Sequence, residues 1–254
     1  MVIEEEQLTG EAQPNNMTLL IDADTILYAT CAVLEEETSE GYVINLDLAE
    51  NTIKEKLAYM KKRTGCGSAL LFFTGGRNFR FDLYPDYKGN RKEVRHPAGR
   101  EELKQRLSER YSNVVIVDCW EADDAVVALK VNAPDAYLLS ATDKDVLQGV
   151  AGRHYNYNKD VFITTTEERA RFWPYFQCIT GDPSDNIKGV PGLGPKKALQ
   201  FISPEMDEQQ LWRGVLSAYA SKDLGEEEAL LNMRMVNMLQ TRTGRLVLWD
   251  PKVR

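Results

Sequence analysis

Residues 113–131 read NVVIVDCWEADDAVVALKV. A short apolar run ends at Asp118, an acidic stretch EADD follows at 121–124, and apolar residues then return at helical spacing. Such a run, bounded by polar residues, suits a strand buried on both faces, and the segment after it suits a helix. TLLID (18–22), SALLFF (68–73) and AYLLS (136–140) read as strands in the same way. Helical spacing covers 46–63, where Asp47 is the expected N-cap, and recurs around 99–111 and 121–131. Short apolar strands alternating with helices predict an α/β fold with a mostly parallel wound sheet. Residues 153–165 suit a hairpin, and beyond 166 the pattern turns helical apart from a short strand at 245–249.

The chain has 254 residues, 43% of them hydrophobic, enough for one large domain or two small ones. No apolar run approaches the ~20 residues of a membrane span, so no membrane partner is expected. The first sixteen residues, MVIEEEQLTGEAQPNN, are acidic and polar. They read as a disordered tail, not a signal peptide. Cys31, Cys66, Cys119 and Cys178 form no C-x-x-C pair, so they are expected to be reduced residues of a cytoplasmic protein. His96 and His154 have no motif partner and read as structural or exposed. The net charge of −8 disfavours phosphate binding, but its distribution does not. Residues 77–110 hold ten Lys/Arg against six acids, a local +4.

The acids fall at corresponding places. Asp22 ends the first strand, Glu121, Asp123 and Asp124 follow a later one, and Asp143 and Asp145 follow AYLLS. Asp182 and Asp185 lie in GDPSD, within the helical region. In open α/β sheets, ligands bind outside the carboxyl ends of the strands, so these acids are aimed at one edge. Each cluster alone reads as a helix cap or a solvated first turn. Together they need counter-charge, and all-oxygen ligands without histidine favour Mg²⁺ or Mn²⁺ over zinc. Two such ions permit in-line hydrolysis of a phosphodiester.

GVPGLGPKK at 189–197 is not a P-loop, because Pro195 stands where lysine is needed. A glycine-rich turn between helices can point N–H groups at a phosphate, or serve only as a packing turn.

DYKGNR (86–91), EADD (121–124), TDKD (142–145) and GDPSDNIKGVPGLGPKKA (181–198) together resemble the motif set of the 5′-nuclease superfamily. That family holds flap endonucleases, the 5′-nuclease domains of bacterial DNA polymerases and phage 5′→3′ exonucleases. The match runs over roughly residues 17–205. The resemblance implies a PIN-like α/β core at 17–165 and a helical region at 166–254, with a helix–hairpin–helix (H3TH) motif around 172–203. It implies two divalent ions per site and a potassium ion at the hairpin. By position, Asp22, Glu121 and Asp123 resemble ligands of the first ion, and Asp124, Asp143, Asp145, Asp182 and Asp185 those of the second or its surroundings. Lys88 and Arg91 resemble the cations that meet the scissile phosphate. Tyr87, expected to stack on a base or to pack, Arg95 of the basic stretch, Gly189, Gly192, Gly194, Lys196 and Lys197 resemble DNA-binding positions. Residues 77–110 correspond to an arch over single-stranded 5′ ends.

One departure stands out. Relatives carry an aspartate soon after the strand matching SALLFF, where this chain has Gly75 or Gly76, leaving Asp24 or a water to fill the gap. The expected function is a metal-dependent 5′-nuclease acting as a monomer on duplex DNA with a 5′ end or flap, and on RNA primers or RNA/DNA hybrids. Its expected setting is phage-type replication or recombination, in the host cytoplasm if phage-encoded. A catalytically weakened junction binder of the same fold is the alternative. A haloacid-dehalogenase-type phosphatase, suggested by IDADTIL, leaves the other motifs unexplained.

Overall fold

The structure is a computed structural model and describes residues 4–7, 12–91, 93–238 and 246–252. In chain order the elements are β1 (Glu4–Gln7), β2 (Asn15–Asp22), α1 (Asp24–Leu34), β3 (Glu35–Thr38), β4 (Gly41–Ile44), α2 (Leu46–Thr64) and β5 (Cys66–Asn78). Then come α3 (Phe79–Leu83), α4 (Arg100–Arg110), β6 (Val114–Cys119), α5 (Ala122–Asn132), β7 (Tyr137–Ser140), α6 (Lys144–Gly149), β8 (Gly152–Asn156) and β9 (Val161–Thr165). The rest is helical: α7 (Glu167–Thr180), α8 (Pro195–Ala198), α9 (Glu208–Ala220) and α10 (Glu226–Val236). The chain divides into two compact units. One comprises Met1–Arg77, Val94–Thr142 and Arg153–Thr164; the other comprises Asn78–Glu93, Asp143–Gly152 and Thr165–Arg254.

The first unit is built on a sheet of order β1-β9-β8-β7-β2-β5-β6. The central strand β2 runs parallel to β5 and β7, with Asp22 opposite Phe72 and Ile21 opposite Ser140. β7 is parallel to β8, so the wound parallel sheet expected from the apolar runs is present. Leu19, Ile21, Phe73 and Leu138 bury one face of it with Leu27, Ile53, Met60 and Leu103. Each fully buried aliphatic or aromatic side chain of this kind stabilises by roughly 1.5–3 kcal/mol.

The second unit has its own core, in which Phe172, Tyr175 and Ile179 meet Leu211, Val215, Tyr219 and Met233. Here α7 packs against α6, α8, α9 and α10.

Several expectations need correction. Asn45, not Asp47, caps α2, accepting the N–H groups of Asp47 and Leu48 at 3.0 and 3.1 Å. The segment expected to be a tail contains β1, which pairs antiparallel with β9 from Glu4↔Thr164 to Gln7↔Val161. Backbone pairing, which needs no apolar side chains, orders this acidic stretch. Arg153 reaches Glu6 at 2.9 Å and Lys159 reaches Glu5 at 2.7 Å, so the acids also find counter-charge. The remaining residues of that tail expectation, 1–3 and 8–11, lie outside the described residues. Of the strand expected at 245–249, Leu246–Trp249 form no strand and Arg245 lies outside the described residues. SALLFF is only the middle of β5, so Gly75 and Gly76 fall inside that strand. The second unit takes in 78–93 and 143–152 along with the helices from 165 onward. Among the described residues, no helix is long and apolar enough to cross a membrane.

Candidate metal and nucleic-acid site

In the first unit the acids gather around Thr74. Asp22 stands at the end of β2, and its Oδ1 accepts the Asp24 N–H at 3.4 Å. The Asp24 carboxylate accepts the Thr74 N–H at 3.1 Å. Thr74 Oγ1 accepts the Ala122 N–H at 3.0 Å, and Thr74 O accepts Lys104 Nζ at 3.0 Å. One residue thus ties α1, α4 and the start of α5 together. Burial pushes the Asp24 carboxyl up, and the charge of Glu121 adds to it, while bonds from Thr74 and the Lys104 charge oppose it. A Cβ at Gly75 would lie 2.5 Å from Val117 O, so no acidic side chain fits there. Asp24 bonds the residue that precedes Gly75.

Glu121, Asp123 and Asp124 bring one carboxylate oxygen each within 4.8 Å of one another. Helix geometry explains this. Glu121 is the N-cap of α5, and Asp124 Oδ2 accepts the Glu121 N–H at 3.2 Å in a capping box. Asp124 N–H in turn donates to Asp123 Oδ1 at 2.6 Å. Glu121 and Asp124 are buried. Tyr157, also buried, donates its hydroxyl to Asp22 O at 3.1 Å and bonds the side chains of Thr25 and Thr142.

The second unit holds the other acids. Asp143 caps α6 by accepting the Asp145 N–H at 2.7 Å. The Asp145 side chain is hydrogen-bonded to Asp182 and accepts Trp173 Nε1 at 3.2 Å. Burial, then the Asp143 charge, pushes the Asp145 carboxyl up to about 7. Asp182 moves the other way: burial would raise it, but bonds from Ser184 and from protonated Asp145 outweigh that. Two hydrogen-bonded carboxyls with Asp143 beside them concentrate negative charge. An all-oxygen set of this kind fits a hard divalent cation.

Asp185 behaves differently. Its Oδ2 accepts the Tyr87 hydroxyl at 2.8 Å and its Oδ1 accepts Arg91 at 2.7 Å, with Lys88 Nζ at 3.8 Å. Tyr87 is only 1% exposed and packs edge-on to Phe81. The basic stretch is largely neutralised from within. Arg95 forks onto Glu35 and lies 3.9 Å from the Tyr42 ring, a pairing that holds the Glu35 carboxyl down at about 2. Arg106 and Arg110 bond Glu50, Lys104 bonds Glu101, and buried Arg80 donates to Met235 O. Lys92 lies outside the described residues.

The glycine-rich loop is closed on itself. Asp182 and Ile187 form an antiparallel bridge, and Val190 N–H donates to Ile179 O at 2.8 Å. Gly181 and Gly189, at φ +73° and +61°, lie with their backbones in contact, leaving no room for a Cβ on either. Beyond this knot, the N–H groups of Gly192 and Gly194 donate to no group among the described residues. Lys196 is exposed, whereas Lys197 Nζ donates to Gly192 O at 3.0 Å.

The sequence reading missed Thr74 and Tyr157 altogether. Their signals lie in partners about 50 and 135 residues away, which no local pattern carries.

A family model described as "5′-3′ exonuclease, N-terminal resolvase-like domain" matches residues 17–172. The exodeoxyribonuclease of Enterobacteria phage T3 is 30% identical over 154 residues, covering 58% of this chain and 50% of that enzyme. The flap endonuclease Xni of Shewanella pealeana is 29% identical over 167 residues, covering 60% of this chain and 62% of that protein. The chain thus spans less than two thirds of the length of these curated relatives. A phage T5 protein co-crystallised with metal ions superposes with a TM-score of 0.58 at 19% identity, covering 89% of this chain and 90% of that one. That likeness is one of fold.

Proposed function

The chain belongs to the 5′-3′ exonuclease family, and from that membership we propose that it is a divalent-metal-dependent 5′-nuclease acting on 5′ ends or flaps of duplex DNA. The observation that carries the reading is the Glu121–Asp123–Asp124 cluster, whose carboxylate oxygens lie within 4.8 Å of one another. In the second unit, Asp143, Asp145 and Asp182 would hold one ion. In the first unit, Asp22, Asp24, Glu121 and Asp123 would hold another, with Asp124 orienting Glu121 through the capping box. Mg²⁺ or Mn²⁺ suits these oxygen donors, and such ions supply a nucleophilic water and charge stabilisation at the phosphate.

The protein's own groups do the rest. Lys88 and Arg91 meet the scissile phosphate and stabilise the charge that develops on its oxygens. The Gly192 and Gly194 N–H groups, with Lys196, grip duplex phosphates beyond the reacting strand end, and Lys197 stiffens that loop. This is the H3TH role, with a potassium ion as its natural companion. RNA primers are further substrates on this reading, and DNA processing in the cytoplasm, phage-infected or bacterial, is its setting.

The test is cleavage of a 5′-flap duplex labelled in turn at each end. Release of 5′-terminal products in Mg²⁺, silenced by EDTA and by Asp182→Ala while the variant still binds the duplex, is the expected result. Cleavage that survives EDTA, or none in any divalent metal, overturns the proposal.

A further inference from the structure

We propose that Asp185 is the positioning residue for Lys88 and Arg91, and not an ion ligand. This rests on the reading of Lys88 and Arg91 as the phosphate-facing cations. Residues 86–91 and 183–186 are interlocked along their backbones. Lys88 N–H donates to Asp185 O at 3.0 Å, and Asn186 Nδ2 donates to Asp86 O at 2.8 Å. Asn90 Nδ2 donates to Pro183 O at 2.8 Å, and Arg91 Nε to Ser184 O at 3.0 Å. The Asp185 carboxylate then closes the lock on Tyr87, Arg91 and Lys88.

The two aspartates of GDPSD thus part company. Asp182 faces another acid, Asp145, instead. Asp185 already accepts from a phenol and a guanidinium and lies 3.8 Å from an ammonium, so its charge is met by this chain's own cations. An arriving cation would be repelled by Lys88 and Arg91.

The backbone shows what the lock is for. Lys88 and Asn186 both sit at positive φ, +52° and +59°, a region that side-chain-bearing residues avoid. Each is held there by the bonds above. The left-handed turn at Lys88, set on the buried Tyr87 ring 5.0 Å from its Nζ, fixes where the ammonium points. Arg91, bonded through Nε and one terminal nitrogen, keeps its other N–H donors for a phosphate.

The experiment uses Asp185→Asn, Tyr87→Phe and Arg91→Ala in the full chain. Three readouts are taken: single-turnover cleavage, Mn²⁺ binding by electron paramagnetic resonance, and hydrogen exchange of the amides at 87–91. A positioning role predicts a 10- to 100-fold slower saturated rate for Asp185→Asn, unchanged Mn²⁺ stoichiometry and affinity, and faster exchange at Lys88. It also predicts that Asp185→Asn adds little to Arg91→Ala, because the two remove one unit. Tyr87→Phe, which leaves every carboxylate in place, should slow the rate several-fold and speed the same exchange. If Asp185→Asn does not fold, this variant decides the matter alone. Loss of a bound Mn²⁺, or a rate restored by excess Mn²⁺, makes Asp185 an ion ligand and overturns the proposal, as do losses that multiply in the double variant. If the wild-type protein cleaves nothing, the proposed function falls, while the exchange and Mn²⁺ readouts still decide the role of Asp185.

Discussion

Asp145→Asn should make the metal-free protein more stable at pH 8 and leave it nearly unchanged at pH 4.5. The Asp145 carboxyl rises from 3.8 to about 7 because it is buried, beside Asp143 and bonded to Asp182. Its folded value lies above its unfolded one, so its contribution to stability is complete below about pH 4 and is lost as pH rises through 7. At about 1.4 kcal/mol per unit, a rise of about three units corresponds to about 4 kcal/mol. Asp182 is held below its ordinary value, so its contribution does not change over the same range. The contribution of Asp182 is present above its unfolded value and is lost only in more acid solution, so the comparison stays at pH 4.5 and above. An asparagine amide can donate to Asp182 as the protonated acid does, but it cannot ionise. For a chain of this length, each kcal/mol moves Tm by about 2–4 °C. Melting curves in EDTA from pH 4.5 to 8.5 read this directly. A gap between the two proteins that does not change with pH would refute the reasoning. Mg²⁺ should then raise the wild-type Tm at pH 8 more than that of the variant, because only the wild type gains a full ligand set.

Replacing Lys196 and Lys197 with alanine should weaken duplex binding and flatten its salt dependence by roughly 0.9 log units per lost phosphate contact; an unchanged slope in a salt titration means this loop does not face DNA. Gly189→Ala should cost about 2 kcal/mol or more in chemical denaturation, since a Cβ there meets the backbone of Gly181 and Ile179 at a positive φ; a wild-type midpoint would remove the knot from the account. Tyr157→Phe should cost about 1 kcal/mol of stability and raise the Mg²⁺ concentration for half-maximal cleavage, because its hydroxyl holds Asp22 O. Unchanged half-saturation by Mg²⁺ would reduce Tyr157 to a packing residue.

TLLID and AYLLS were legible because a buried parallel strand must be apolar on both faces, whereas NVVIVD became the half-exposed edge strand β6. The acids were legible because they follow those strands. What stayed hidden is what depends on distant partners. Asp24 looks like any residue in a first turn until Thr74, 50 positions on, bonds it. Asp185 and Asp182 are alike in sequence, and only Tyr87 and Arg91, more than 90 residues earlier, set them apart. The cations at 77–110 were counted correctly, but a count cannot see Glu35 and Glu50 neutralising them from another element. α1 and the β3–β4 ribbon went unnamed, because DTILYATCAVL runs apolar around most of its circumference and EEET carries no alternating pattern.

The edge strand β1 bears on how the protein is produced. An acidic leader of this kind invites removal when an expression clone is planned, and a cut at residue 12 would leave the sheet looking intact. It would also strip β9 of its partner along Val161–Thr164 and free Arg153 and Lys159 from Glu6 and Glu5. An uncovered strand edge recruits whatever strand it meets first, commonly the same edge of another molecule. The shortened protein should therefore lose solubility at high concentration before it loses its fold, and light scattering would register the difference between the two clones.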